Sequence, residues 1–83
     1  MLKILYFASL RESLGTAGES WPVPTPPTVE VLVNTLRVRG ENWSNALGTG
    51  KRWRVAINQE MASLDSPLKA GDEVAIFPPV TGG

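Results

Sequence analysis

The chain has 83 residues, 42% of them apolar and 19% charged, which suffices for one packed core and leaves no room for a second. Eight acidic residues balance eight basic ones, so the broad positive field that draws in phosphate backbones or anionic membranes is missing; neither nucleic acid nor a membrane is expected as a partner. With no cysteine and no histidine, disulfides, thiolate zinc sites and the commonest general base are excluded, no metal site is expected, and an independent enzyme would have to work with carboxylates, Lys, Ser and Thr.

Residues 2–7, Leu-Lys-Ile-Leu-Tyr-Phe, predict a strand with Leu2, Ile4 and Tyr6 on one face and Lys3, Leu5 and Phe7 on the other. Apolar character on both faces puts it inside a sheet. Ala8 to Gly15 follows as a short helix, with Leu10 and Leu14 four apart and Gly15 as its stop. Glu19 to Val23 alternates around Trp21, and because Pro22 and Pro24 donate no ladder bonds this second strand belongs at an edge. Thr28 is the N-cap of a helix carrying Val29, Leu32, Val33 and Leu36 along one face, with Glu30 in its first turn, Arg37 and Arg39 in its last, and Gly40 as its stop. Trp43, Ala46 and Leu47 suggest a further short helical piece ending near Gly48. Lys51 to Asn58 predicts a strand with Trp53, Val55 and Ile57 on one face, and Asn58-Gln59 turns into a short strand near Met61. Turns at Asp65-Ser66-Pro67 and Ala70-Gly71-Asp72 flank Leu68, and Glu73 to Phe77 is the last strand.

Strands, one principal helix and strands again in so short a chain imply an α+β fold: a mixed sheet of about five strands on one main helix with short extra helices, the ubiquitin-like β-grasp outline. The doubly apolar first and last strands form its central pair and, connected through the helix, run parallel. Residues 1–77 make the domain and residues 78–83 a flexible C-terminal tail without a pairing pattern. No stretch approaches membrane-spanning length, and Met1 to Leu5 does not begin a cleavable leader, so a soluble cytoplasmic protein is expected.

The ending Phe77-Pro78-Pro79-Val80-Thr81-Gly82-Gly83 resembles that of the small subunit of molybdopterin synthase. The run from Asp65 to Ala75, the opening Tyr6-Phe7-Ala8-Ser9-Leu10-Arg11-Glu12 and the Asn58-Gln59 turn are similar to the same family, while residues 15–27 and 37–52 carry no motif of it. The resemblance implies a sulfur carrier in molybdenum cofactor biosynthesis, a non-catalytic subunit of a sulfurtransferase complex. An adenylating, E1-like partner activates the carboxylate of Gly83 with ATP, and a sulfur donor protein supplies the sulfur that converts the acyl-adenylate to a thiocarboxylate. The tail then enters the large synthase subunit, where the sulfur passes to cyclic pyranopterin monophosphate. Two carriers on a dimer of large subunits, a heterotetramer, is the implied assembly, and no cofactor is bound permanently.

The tail suits that chemistry. A carboxylate resists nucleophilic attack and must first gain a leaving group, and a sulfur held by one acyl bond reaches its target at high effective concentration. Six residues beyond Phe77 extend roughly 20 Å. Gly82 and Gly83 let a narrow channel close on the backbone, and Pro78 and Pro79 hold the tail's base extended, with Val80 and Thr81 between them. Strand alternation further puts Leu5, Phe7, Ala56, Ala75 and Phe77 on the sheet face away from the helix, a docking surface to which Met61 is added. Cover by the helical piece near Trp43, or by the loop near Met61, is the competing reading. Lys51-Arg52-Trp53-Arg54 reads as a solvated strand end, and Asp72 and Glu73, on opposite faces, do not form an acid and base pair. A related carrier for thiazole synthesis, a modifier conjugated to lysines and an interaction domain with an idle tail remain as alternatives.

Overall fold

The computed structural model describes residues 1–48 and 52–79. Along the chain it forms β1 (Leu2–Tyr6), α1 (Ala8–Leu14), β2 (Gly18–Trp21), α2 (Val29–Arg37), α3 (Glu41–Ala46), β3 (Arg54–Ile57), β4 (Glu60–Met61) and β5 (Glu73–Phe77). The strands make one mixed sheet in the order β2-β1-β5-β3-β4. β1 and β5 are parallel at its centre, with Ile4 opposite Val74 and Tyr6 opposite Ile76, and the other pairs are antiparallel. This is the ubiquitin-like β-grasp arrangement. Among the described residues no helix is long and apolar enough to cross a membrane.

Periodicity accounts for the core. Leu2, Ile4 and Tyr6 of β1, Val74 and Ile76 of β5 and Val55 of β3 point to one side of the sheet. There they meet Val29, Leu32, Val33 and Leu36 of α2, Leu10 and Leu14 of α1, and Leu47 and Leu68. Each such side chain contributes about 1.5 to 3 kcal/mol of transfer free energy, so this single layer carries most of the stability. Thr28 caps α2, its hydroxyl accepting from the amide of Val31 at 3.3 Å. Gly15 ends α1 at φ 73°, its amide donating to the Arg11 carbonyl at 3.0 Å.

Several boundaries differ from the expectation. α2 ends at Arg37, with Val38 as its C-cap, and Gly40 is the N-cap of α3, its carbonyl accepting from Ser44. Arg39 therefore lies beyond the last turn. Its guanidinium sits 4.7 Å from the Trp21 ring centroid and 4.0 Å from that of Trp43, and donates to a Glu19 carboxylate oxygen at 2.6 Å. The same oxygen accepts from the Tyr6 hydroxyl at 2.7 Å. Burial, reinforced by that carboxylate, raises the tyrosine's pKa far above its ordinary value. The cluster ties edge strand β2 to the segment joining α2 and α3, which is why the chain leaves the helix there. β2 stops at Trp21 instead of reaching Val23, since Pro22 has no amide for the ladder. β3 starts at Arg54; Lys51, where the strand was expected to begin, lies outside the described residues.

Gly18 faces Leu5 across the β1–β2 ladder, and a Cβ there would stand 2.7 Å from the Ile4 carbonyl oxygen and 3.1 Å from a Leu5 methyl. The first of these is backbone and cannot swing aside. Gly18→Ala should therefore cost about 1 to 3 kcal/mol of stability by overpacking. Urea denaturation measures it, and an unchanged midpoint would show that β2 can shift freely against β1.

Candidate functional site

The sheet face away from the helices carries the positions singled out for docking. Cα partners Leu5, Ala75, Ala56 and Met61 form one continuous row across β1, β5, β3 and β4. Gly18 lies beyond Leu5 on β2 and has no side chain to stand above the row. One pleat further toward the tail, Phe77 pairs with Arg54. Phe7 continues β1 in an extended conformation, φ −119° and ψ 153°, and its amide donates to the Ile76 carbonyl at 3.1 Å. Alternation after buried Tyr6 thus directs Phe7 to the same face as Phe77. Met61 is 65% exposed and Phe7 43%, while Ala75 and Phe77 are half-buried.

The two elements that could have covered this face lie elsewhere. Trp43 and Ala46 pack from α3 against the core, the former edge-on to the Tyr6 ring at 5.5 Å, and Ala62 after β4 also packs inward. The face is apolar along this row and leads to Phe77, where β5 ends and Pro78 and Pro79 continue, both half-buried. Val80, Thr81, Gly82 and Gly83 lie outside the described residues.

The position of β5 is fixed at its start. The Asn58-Gln59 turn has positive φ at both residues, 51° and 71°, the geometry that joins adjacent strands through two residues. Asn58 is also a suture. Its side-chain amide donates to Asp72 and its oxygen accepts from the Glu73 amide, each at 3.0 Å, while its own amide donates to the Glu73 carbonyl at 2.8 Å. Asp72, 4% exposed, accepts in addition from the Lys69 amide at 3.0 Å. That backbone bond, followed by the one from Asn58, holds the carboxyl's pKa below its ordinary value of 3.8. A cleft of about 450 Å³ opens beside Met61, but Asn58 and Asp72 in its wall are committed to each other and to backbone. Reading the sequence for chemistry missed both this suture and the Arg39 cluster, since neither pairing is local; a turn asparagine facing an aspartate before the last strand was the available signal.

Comparisons with known proteins bear on the same elements. The ThiS family matches residues 4–83. A molybdopterin synthase sulfur carrier subunit of Escherichia coli (strain K12) is 46% identical over 83 residues, which is the whole of both chains. The crystal structure of small archaeal modifier protein 1 from Haloferax volcanii has a TM-score of 0.74 at 28% identity, covering 95% of this chain and 97% of that one. A chain in the protein–protein complex of subunits 1 and 2 of molybdopterin-converting factor from Helicobacter pylori 26695 has a TM-score of 0.67 at 23% identity, covering 99% of this chain and 97% of that one, a likeness of fold.

The Asp72 suture has a defined pH signature. Because its folded pKa is depressed, its contribution is complete above the ordinary carboxylate pKa and disappears as pH falls through the folded value. Asp72→Asn should lower stability at pH 7 by about 1 kcal/mol through the loss of charged acceptors for the part-buried donors of Lys69 and Asn58. The gap to the parent protein should close toward pH 2 in urea titrations, and a gap that stayed constant would remove the carboxylate from the account.

Proposed function

The chain belongs to the ThiS family, and from that premise we propose that it is the sulfur-carrier subunit of a molybdopterin synthase, delivering sulfur from a thiocarboxylate on Gly83. The observation that carries this reading is the full-length similarity to the Escherichia coli subunit of that name, at 46% identity. The described geometry supports it, because the central strand β5 runs out at Phe77 beside an apolar face, and the sequence continues from there with a glycine-terminated tail.

In the proposed cycle the Gly83 carboxylate attacks the α-phosphorus of ATP held by an adenylating enzyme, releasing pyrophosphate. A persulfide on a donor protein then displaces AMP to give an acyl disulfide, and two thiols, themselves oxidised to a disulfide, reduce its S–S bond, leaving a thiocarboxylate on Gly83 and a thiol on the donor. The tail inserts into the large subunit, the sulfur attacks a carbon of the pterin precursor and displaces an oxygen leaving group from it, and water then cleaves the acyl–sulfur bond, restoring the carboxylate and leaving the sulfur on the pterin. The domain contributes no acid or base to these steps; it holds the tail and presents the docking face. Phe7, Met61, Ala75 and Phe77, flanked by Leu5 and Ala56, would seat against the large subunit and against the activating enzyme in turn, so the partners exclude one another. The Haloferax volcanii modifier favours a second reading, in which the activated acyl group is attacked by a lysine amine.

Two experiments test the proposal. Incubation with the adenylating enzyme, ATP and a sulfur donor should give, by intact and fragment mass spectrometry, an exchange of oxygen for sulfur confined to Gly83. An unchanged terminus would overturn the carrier reading, and an isopeptide bond to a partner lysine would favour the modifier. Deletion of Gly82-Gly83 draws the acyl carbon back by roughly 7 Å, against a tolerance of about 1 Å for a reacting geometry. It should abolish molybdopterin formation and leave the thermal midpoint unchanged. Separately, Phe77→Asp should weaken binding to the large subunit at least tenfold, about 1.4 kcal/mol, by burying an unpaired charge. Calorimetry on folded protein measures this, and undiminished affinity would remove the face from the interface.

A further inference from the structure

The charges on the docking face are distributed along the strands and not across them. At the end remote from the tail, Lys3 and Glu73 are Cα partners on β1 and β5, so opposite signs stand side by side. The middle row, Leu5, Ala75, Ala56 and Met61, is uncharged. At the tail end stands Arg54, exposed and directly opposite Phe77. The nearest acid among the strand residues of this face is Glu73, four residues back along β5 and thus roughly 13 Å away. Among the described residues the ion pair that forms is Arg39 with Glu19, on the other side of the sheet. Arg52, two residues earlier and also exposed, adds a second positive charge at the same end, while Trp53 between them packs inward.

The root of the tail thus carries two exposed arginines in a protein whose formal charge is zero. In the carrier reading, on which this inference rests, the tip of the tail is anionic, as carboxylate or thiocarboxylate. Root and tip then form a dipole directed along a reach of roughly 20 Å. A partner that swallows the tip needs a positive site at the bottom of its channel, and a negative rim would complete the match. We infer that Arg54, assisted by Arg52, is a specificity-determining contact that pairs with an aspartate or glutamate on the channel rim of the large synthase subunit, beside the pocket that takes Phe77. Its effect is to orient the carrier before insertion, tail first, so it acts on association more than on the lifetime of the complex.

The test is the association rate with purified large subunit as a function of salt, from about 0.01 M, where charges interact over roughly 30 Å, to about 1 M, where they interact over roughly 3 Å. Arg54→Ala should associate about three- to tenfold more slowly at low salt, Arg54→Glu more slowly still, and both should converge on the parent at high salt. Arg54→Lys should restore most of the rate. Charge reversal of the matching rim carboxylate should rescue Arg54→Glu. Parent-like association of Arg54→Glu at low salt, with Phe77→Asp still impaired, would overturn this inference and leave the carrier reading intact. Failure of the parent protein itself to bind the large subunit would overturn both. Melting curves on each variant confirm folding, and since Arg54 is exposed at the start of a strand the three substitutions should leave them unchanged.

Discussion

The parallel pairing of β1 with β5 is the constraint from which the rest follows. Two strands that run the same way cannot be joined by a hairpin, so everything between them must cross over the sheet and return. Here that crossover contains α1, β2, α2, α3, β3 and β4, and its helices bury one face of the central pair. Because β1 opens the domain and β5 closes it, the segment that follows Phe77 leaves from the middle of the sheet. The end of β5 from which it leaves is flanked by a neighbour on each side, with Phe7 bonded to Ile76 on one and Arg54 paired with Phe77 on the other.

The two faces of this sheet divide the work. The helix side holds the large aliphatic side chains and the transfer free energy that keeps the chain folded. The opposite side has been reduced to small or single apolar groups, Ala56 and Ala75 in the centre with Phe77 at the exit. Its contribution to folding is therefore smaller than that of the helix side, and Phe7 and Met61 stand exposed on it. Asn58 and Asp72 hold the start of β5 from the turn side.

Most of this was legible in the residue pattern, because the signals were local. The two-residue period of Leu2, Ile4 and Tyr6, the helical spacing from Val29 to Leu36, and the apolar run at Val74 and Ile76 each fixed an element and its buried face, and double-sided apolarity identified the central strands. What was not legible depended on side chains distant in sequence. Gly40 read as a helix stop, but Arg39 is drawn out of the helix by Glu19, Trp21 and Trp43, contacts that no local pattern encodes. The charge of Arg54 was visible, whereas its place opposite Phe77 required the β3–β5 register. For the tail the sequence offered chemistry through resemblance, and residues 80–83 lie beyond what the structure describes.

The ends of the sheet carry a further implication for how the protein meets others. A strand on a sheet's border is a template for another chain's backbone, and long, flat borders invite polymerisation. One border here is β2, four residues long and stopped by Pro22; the other is β4, with two residues. Neither offers enough consecutive amides and carbonyls for a stranger to zip onto. Arg39, by gripping Trp21 and Glu19, also keeps β2 from peeling away to seek a new neighbour. Backbone-mediated adhesion is thereby suppressed, so recognition has to be read from side chains, where a cell can tell one small carrier from another.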